Sequence, residues 1–94
     1  MNDMNVPSSE ITLPAEVLER LAGEHGSLTP ELRKAAAYVL DNPNDVGVSS
    51  IREIADAAHV KPNTFVRMAR TVGFDGYEEF RRPFREEIRS GRDN

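Results

Sequence analysis

The segment from Ser50 to Gly73, SIREIADAAHVKPNTFVRMARTVG, has the pattern of two short helices joined by a tight turn. Ser50 and Glu53 have the spacing of a capping box, so the first helix is expected to begin directly after Ser50. Pro62 favours the first turn of a second helix and Gly73 favours its end. The turn between them consists of His59, Val60 and Lys61. These signals predict a helix-turn-helix unit over about residues 50–73.

Apolar side chains recur on one face of each predicted helix of this unit. On the first helix they are Ile51, Ile54, Ala55 and Ala58, and on the second they are Phe65, Met68, Ala69 and Val72. Helices that cross steeply need small residues where their backbones approach, which Ala55 and Ala58 supply. Val60 is placed to fill the gap between the two helices. We therefore expect the unit to have a small core of its own.

Two more helices are predicted upstream of this unit. Pro14 to about Glu24 is a short amphipathic stretch. Thr29 and Pro30 then form an N-cap followed by proline at the first helical position. The helix that they open carries one apolar stripe, formed by Leu32, Ala35, Ala36, Val39 and Leu40. It is expected to end at Asn42-Pro43, because a residue before proline avoids the helical region. Residues 44–49 are interpreted as a connector, with one turn of helix as an open alternative.

A last helix is predicted after the unit, where Asp75 and Glu78 have capping-box spacing. Its apolar stripe is formed by Tyr77, Phe80, Phe84 and Ile88. Pro83 is expected to kink or split this helix, since proline removes a helical hydrogen bond. No segment shows the alternating pattern of a strand. The sequence thus predicts an all-α fold, a small bundle of about five helices that contains the helix-turn-helix unit.

Length and composition limit the kinds of function that are expected. Ninety-four residues form at most one domain, for which we predict a loose tail over 1–13, the helical domain over 14–90 and an end or linker over 91–94. With no cysteine and two isolated histidines, no metal site and no cofactor are expected. No nucleophile, base and orienting group converge, so no enzymatic activity is expected. Apolar runs are too short to span a membrane, and a cytoplasmic location is the default expectation.

The charge is unevenly distributed along the chain. The net charge of −4 weighs against binding to nucleic acid, but residues 1–49 hold three basic and eight acidic side chains, whereas residues 50–94 hold nine and eight. No acidic residue occurs between Asp56 and Asp75, a stretch that contains Lys61, Arg67 and Arg70. A local basic face matters more for binding than the total charge does. On charge alone, the absence of acids from this stretch is equally consistent with an ordinary surface of mixed charge that has no binding function.

The second helix of the unit has an outer face suited to reading DNA. At 100° per residue, the side chains opposite its apolar face are Asn63, Val66, Arg67 and Arg70. Arginine pairs with guanine, asparagine pairs with adenine, and a small apolar side chain meets the thymine methyl group. Lys61 and the helix N-terminus are placed to meet phosphates. Thr64 either caps the helix or touches a phosphate, and both roles stay open.

These residues predict a sequence-specific binding site for double-stranded DNA. Operators for such units are commonly repeated half-sites, so a homodimer is expected. The alternative is a protein-interaction module that uses the same basic face on an acidic partner. The two hypotheses differ in their salt response and in their dependence on base sequence.

Several segments in combination resemble the N-terminal domain of the RpiR family of bacterial regulators. They are Ser50-Ile51-Arg52-Glu53-Ile54-Ala55-Asp56-Ala57-Ala58, Val60, Thr64-Phe65-Val66-Arg67 and Val72-Gly73-Phe74-Asp75-Gly76-Tyr77. Leu28-Thr29-Pro30 and Asp41-Asn42-Pro43 are similar to that family's opening helix and its end. The resemblance covers roughly Leu28 to Ile88, which is most of the chain.

The resemblance implies a transcriptional regulator that controls genes of sugar or carbon metabolism. Such regulators usually continue into a SIS domain that senses a phosphorylated sugar, and no such domain is present in this sequence. The chain is expected to be either a piece of a longer regulator or a stand-alone relative. Two departures matter: His59 replaces a common glycine in the turn, and Lys61-Pro62-Asn63 replaces a more frequent serine-containing opening. The operator sequence therefore cannot be taken from relatives.

Overall fold

The computed structural model describes residues 13–91, which form six α-helices and one short 3-10 helix. The α-helices are α1 (Pro14–Glu24), α2 (Pro30–Asp41), α3 (Pro43–Val48), α4 (Ile51–Ala58), α5 (Pro62–Thr71) and α6 (Tyr77–Gly91), and the 3-10 helix is His25–Ser27. The predicted all-α class is confirmed, with α4 and α5 as the helix-turn-helix unit. The predictions for the N-terminal tail and for the end after 91 concern residues that lie outside the described part, apart from Leu13 and Gly91.

Two predicted helix starts have the expected side-chain caps. Thr29 Oγ1 accepts a hydrogen bond of 3.3 Å from the Leu32 amide at the start of α2. Ser50 and Glu53 form the predicted capping box of α4: the Glu53 amide donates to Ser50 Oγ over 3.1 Å, and the Ser50 amide donates to Glu53 Oε1 over 2.9 Å. Each cap satisfies amides that have no partner within their own helix. These two helices thus begin where short-range side-chain chemistry places them.

The start of α6 differs from the predicted capping box at Asp75. The helix begins at Tyr77, and the Phe80 amide donates to the Gly76 carbonyl over 3.2 Å. Gly76 therefore occupies the N-cap position, one residue after the predicted cap. The carbonyl of Asp75 instead accepts a hydrogen bond from Arg70.

Most of the predicted connector 44–49 is helical, and the helix is longer than the single turn considered from the sequence. Pro43, interpreted as the end of α2, is also the first residue of α3. Val46 at its centre is fully buried, and Gly47 lies against α6. A Cβ atom at Gly47 would lie 2.6 Å from Ile88 Cδ1, so glycine permits this close approach. A hydrogen bond from the hydroxyl of Tyr38 in α2 to Asp45 attaches α3 to the rest of the bundle.

Helix α6 continues through Pro83 from Tyr77 to Gly91 and is not split. Phe80 before the proline and Phe84 after it are both buried, and Gly47 of α3 lies against Ile88. Burial of one large apolar side chain is worth about 1.5–3 kcal/mol, so two together can offset the ~3 kcal/mol that an internal proline costs. Packing on both sides of Pro83 thus keeps the helix continuous.

One apolar core joins all six α-helices. Its buried members are Val17, Leu21, Leu28, Leu32, Ala35, Ala36, Val39, Val46, Ile54, Ala55, Ala58, Phe65, Met68, Ala69, Val72, Tyr77, Phe80 and Phe84. The predicted apolar faces of α4 and α5 are confirmed by this set, and Val60 packs against it from the turn. Helix α5 packs against α2, α4 and α6. With neighbours on these sides, α5 leaves a single outer face to the solvent.

Candidate nucleic-acid interface

The turn between α4 and α5 is a Schellman motif with histidine in the left-handed position. His59, which replaces the glycine common in the family, has φ 63° and ψ 42°. Its amide donates to the Asp56 carbonyl over 3.1 Å, and the Val60 amide donates to the Ala55 carbonyl over 3.0 Å. Val60 then packs on the core. These bonds end α4 and set the direction in which α5 leaves the turn.

The buried side of α5 holds the helix against the bundle. Phe65, Met68 and Ala69 are fully buried. The Phe65 ring meets the Tyr77 ring edge-on, with centroids 5.8 Å apart. Burial raises the pKa of Tyr77 to about 12, so its phenol stays neutral at physiological pH. The aromatic pair therefore joins α5 to α6 through neutral rings, and the Arg81 guanidinium lies over the Tyr77 ring with its Cζ 5.9 Å from the centroid.

The outer face of α5 is formed by Asn63, Val66, Arg67 and Arg70, and Lys61, the N-cap residue, is counted with it. Val66 is half-buried and the other four side chains are exposed. Five of the six predicted site residues are thus accessible to solvent on α5 or at its N-cap. Asp56 and Asp75, the nearest acids in sequence, lie on α4 and in the loop after α5.

Thr64, the sixth predicted site residue, lies on the buried side of the helix. Only 7% of it is exposed, so it offers almost no surface to a partner. Lys61 occupies the N-cap position of α5, and no side chain caps this helix. The predicted capping role of Thr64 is therefore wrong. Thr64 follows Asn63 in sequence, but its 100° rotation on the helix turns it toward the core.

The two arginines of the outer face have different surroundings. Arg70 Nε donates to the carbonyl of Asp75 over 3.1 Å, which holds its guanidinium beside the loop between α5 and α6. Within residues 13–91, the Arg67 side chain makes no hydrogen bond or ion pair, although its carbonyl accepts one of 3.0 Å from Thr71. Arg67 thus presents all five of its donors, while Arg70 presents its terminal nitrogens from a fixed position.

The N-terminus of α5 is electrostatically open to an anion. Among the six α-helices of the described range, the other five have an acidic residue in their first turn, and α5 has none. Unpaired amides at this end carry partial positive charge, and Lys61 adds a full charge beside them. Helix termini of this kind favour phosphate groups.

Other kinds of site find little support in the described residues. Between Leu13 and Arg89, His, Cys, Asp and Glu side chains form no group of three that could hold a metal ion. None of the described helices has the length and apolar character needed to cross a membrane.

Family comparison places the chain among regulators. Residues 15–91 match the model of the helix-turn-helix domain of the rpiR family. An uncharacterized HTH-type transcriptional regulator of Haemophilus influenzae is 38% identical over 65 residues, covering 69% of this chain and 23% of that protein. The HTH-type transcriptional regulator HexR of Pseudomonas aeruginosa is 32% identical over 75 residues, covering 80% of this chain and 26% of that protein. The chain thus spans about a quarter of the length of these curated relatives.

A solved structure supports the fold. The N-terminal domain of the transcriptional regulator ybbH from Bacillus subtilis superposes with a TM-score of 0.68 at 24% identity. The match covers 72% of this chain and 83% of that one. With a family model matched over residues 15–91, the resemblance seen in the sequence is confirmed. The chain belongs to the rpiR family of helix-turn-helix domains, the DNA-binding domains of transcriptional regulators.

Proposed function

We propose that this domain binds double-stranded DNA sequence-specifically, with α5 as the helix that enters the major groove. The observation that carries the proposal is the outer face of α5. It displays asparagine, valine and two arginines to solvent, while the opposite side of the same helix is buried. The major groove is wide enough for one helix, and its base edges match these side chains.

Each residue of the outer face has a proposed role. Arg67 and Arg70 supply planar forks for guanine, and Asn63 supplies the donor and acceptor that match adenine. Val66 lies between them, where it would meet a thymine methyl group. Lys61 and the open N-terminus of α5 would contact phosphates, which position the helix without reading sequence. Thr64 is left out of this set because it is buried.

For the longer regulator we propose a homodimer on repeated half-sites, acting in the cytoplasm on genes of sugar or carbon metabolism. The support is the symmetry common to such operators and the resemblance to RpiR regulators. The same resemblance implies that a phosphorylated sugar acts through a SIS domain. We therefore propose that the helical domain itself does not respond to effectors and catalyses no reaction.

Selection of duplexes from a random pool tests the proposed DNA reading. We expect the domain to enrich a defined motif, whereas a variant with Arg67→Ala and Arg70→Ala enriches none or a relaxed one. Arg33→Ala is a matched control, because Arg33 is an exposed arginine on α2 rather than on α5. Retention of the parent motif by the double variant would show that another surface reads the bases.

The pool experiment also separates DNA reading from the protein-interaction alternative. An acidic protein offers neither base edges nor a condensed ion atmosphere. Binding that ignores base sequence and shifts to an acidic protein competitor would favour that alternative.

Effector independence has its own test. Sugar phosphates titrated into the domain with its selected duplex should leave the apparent Kd and the melting temperature unchanged. A saturable shift in either quantity would place sensing within residues 1–94 and contradict the proposed division of labour.

A further inference from the structure

Arg20 of α1 reaches the C-terminal end of α5, 52 residues later in the chain. Its Nη1 donates to the Val72 carbonyl over 3.0 Å in a partly buried hydrogen bond. The guanidinium also lies over the Phe74 ring, with Cζ 5.7 Å from the centroid. Arg20 therefore contacts both the last turn of α5 and the loop that follows it.

The end of α5 that Arg20 contacts is a second Schellman motif. The Gly73 amide donates to the Arg70 carbonyl and the Phe74 amide donates to the Ala69 carbonyl, each over 3.0 Å. Gly73 adopts φ 102°, a region that other residues rarely enter. Carbonyls at a helix C-terminus carry partial negative charge, which a cation stabilises. Arg20 supplies that cation from outside the helix-turn-helix unit.

The loop held by Arg20 also holds one side chain of the outer face. Arg70 Nε donates to the Asp75 carbonyl, one residue after Phe74. Movement of Phe74 and Val72 would therefore move the atom that orients Arg70. In the turn before α5, Lys34 Nζ of α2 donates to the carbonyl of His59, the C-cap of α4, over 3.1 Å. Cations from α1 and α2 thus contact the loop after α5 and the turn before it.

We infer that Arg20 is a positioning residue for DNA reading. It fixes the direction of α5 and the loop that orients Arg70, and it acts through Val72 and Phe74 rather than by touching DNA. Side chains that read bases must be held within fractions of an ångström. Loss of the Arg20 contact should therefore lower the affinity for DNA even when the domain remains folded. The inference rests on the proposed function of the outer face.

The test compares Arg20→Met with Arg33→Met in the whole chain. Arg33 is a matched control, because its Nη2 also donates to a carbonyl, that of Leu28, over 2.9 Å in a partly buried bond. Arg33 belongs to α2, and its bond goes to a carbonyl five residues earlier in the chain rather than to a residue of α5 or of the loop after it. Affinity for the selected duplex and for an unrelated duplex is measured at two salt concentrations, at a temperature where circular dichroism shows each variant to be folded.

We expect Arg20→Met to weaken binding to the selected duplex about tenfold, the usual effect of a hydrogen bond to a charged group. Arg33→Met should stay within twofold of the parent, and Arg20→Lys should recover part of the loss. The salt slope should not change, since Arg20 meets no phosphate. Amide exchange at Gly73 and Phe74 should become faster in Arg20→Met only.

Other results would overturn the inference in distinguishable ways. Equal affinities for Arg20→Met and Arg33→Met would show that the contact with Val72 does not position α5. A salt slope reduced by about one phosphate would show that Arg20 touches DNA directly. If the parent selects no duplex, the proposed function itself fails and the positioning role fails with it.

Discussion

The two sides of α5 differ in what determines their residues. The inner side consists of side chains that are fully buried, so volume and shape constrain each of them. The outer face, Lys61, Asn63, Val66, Arg67 and Arg70, contributes little to the core, and substitutions at such positions usually change stability by under about 0.5 kcal/mol. Its composition is therefore open to selection for binding. One ten-residue helix thus carries two separable properties, folding on one side and recognition on the other.

The largest effect is expected from breaking the inner side at Phe65. Phe65 is fully buried and pairs with Tyr77, so Phe65→Ala should lower the free energy of unfolding by ~3 kcal/mol or more. Chemical denaturation measures this loss, with Arg67→Ala as the control from the outer face. If the Phe65→Ala melting midpoint stayed within a degree or two of the parent, the two sides of α5 would be wrongly assigned.

Removing an arginine should have the converse effect on the outer face. Replacing the arginine that reads guanine by alanine should weaken binding by about 1–3 kcal/mol and relax one base position. Stability should stay within about 0.5 kcal/mol of the parent. A panel of single-base duplex variants measures this for Arg67→Ala and Arg70→Ala separately. The proposed reading helix is wrong if both variants keep every base preference of the parent.

Substitutions in the turns before and after α5 should have smaller effects on stability. His59 and Gly73 both occupy left-handed positions, at φ 63° and 102°. His59→Gly removes the strain of a side chain there and should raise stability by up to about 1 kcal/mol. Gly73→Ala should lower stability by a similar amount, since alanine is strained at positive φ. Thermal melts measure both changes in stability. If the two substitutions shifted the melting temperature in the same direction, backbone conformation would not explain the residues at these positions.

The smallest effect is expected at Lys61, which lies beside the N-terminus of α5. Lys61→Ala should weaken binding to all duplexes about equally, by less than about threefold, and should lower the salt slope by roughly one phosphate equivalent. Titrations on the same duplex panel at two salt concentrations measure both quantities. A change in preference at one base position would instead make Lys61 a reading residue.

Much of the fold follows from short-range patterns. Five of the six helices, the capping box of Ser50 and Glu53 and the position of the turn at His59 follow from spacing and residue type. Periodicity also separated the two sides of α5, because burial on one side of a helix repeats every three to four residues. These features depend on neighbours in the chain, which a sequence displays directly.

Two features of the fold depend on contacts between distant segments and were evident only in the tertiary structure: helix α3 and the continuity of α6 through Pro83. Helix α3 has six residues, too few for a periodic signal, and Val46 is buried because α3 packs on α6. Pro83 stays within a continuous α6 because packing on both sides outweighs its local cost.

In the candidate site, too, some features follow from the local sequence and others from contacts between distant segments. Spacing in the sequence located five residues of the outer face of α5 and misplaced Thr64, whose burial is decided by neighbouring helices. Arg20 gave no signal, because 52 residues separate it from the Val72 carbonyl that it contacts. Local sequence determines where a helix forms and which side is apolar, while contacts between distant segments determine how firmly that helix is held and where it points.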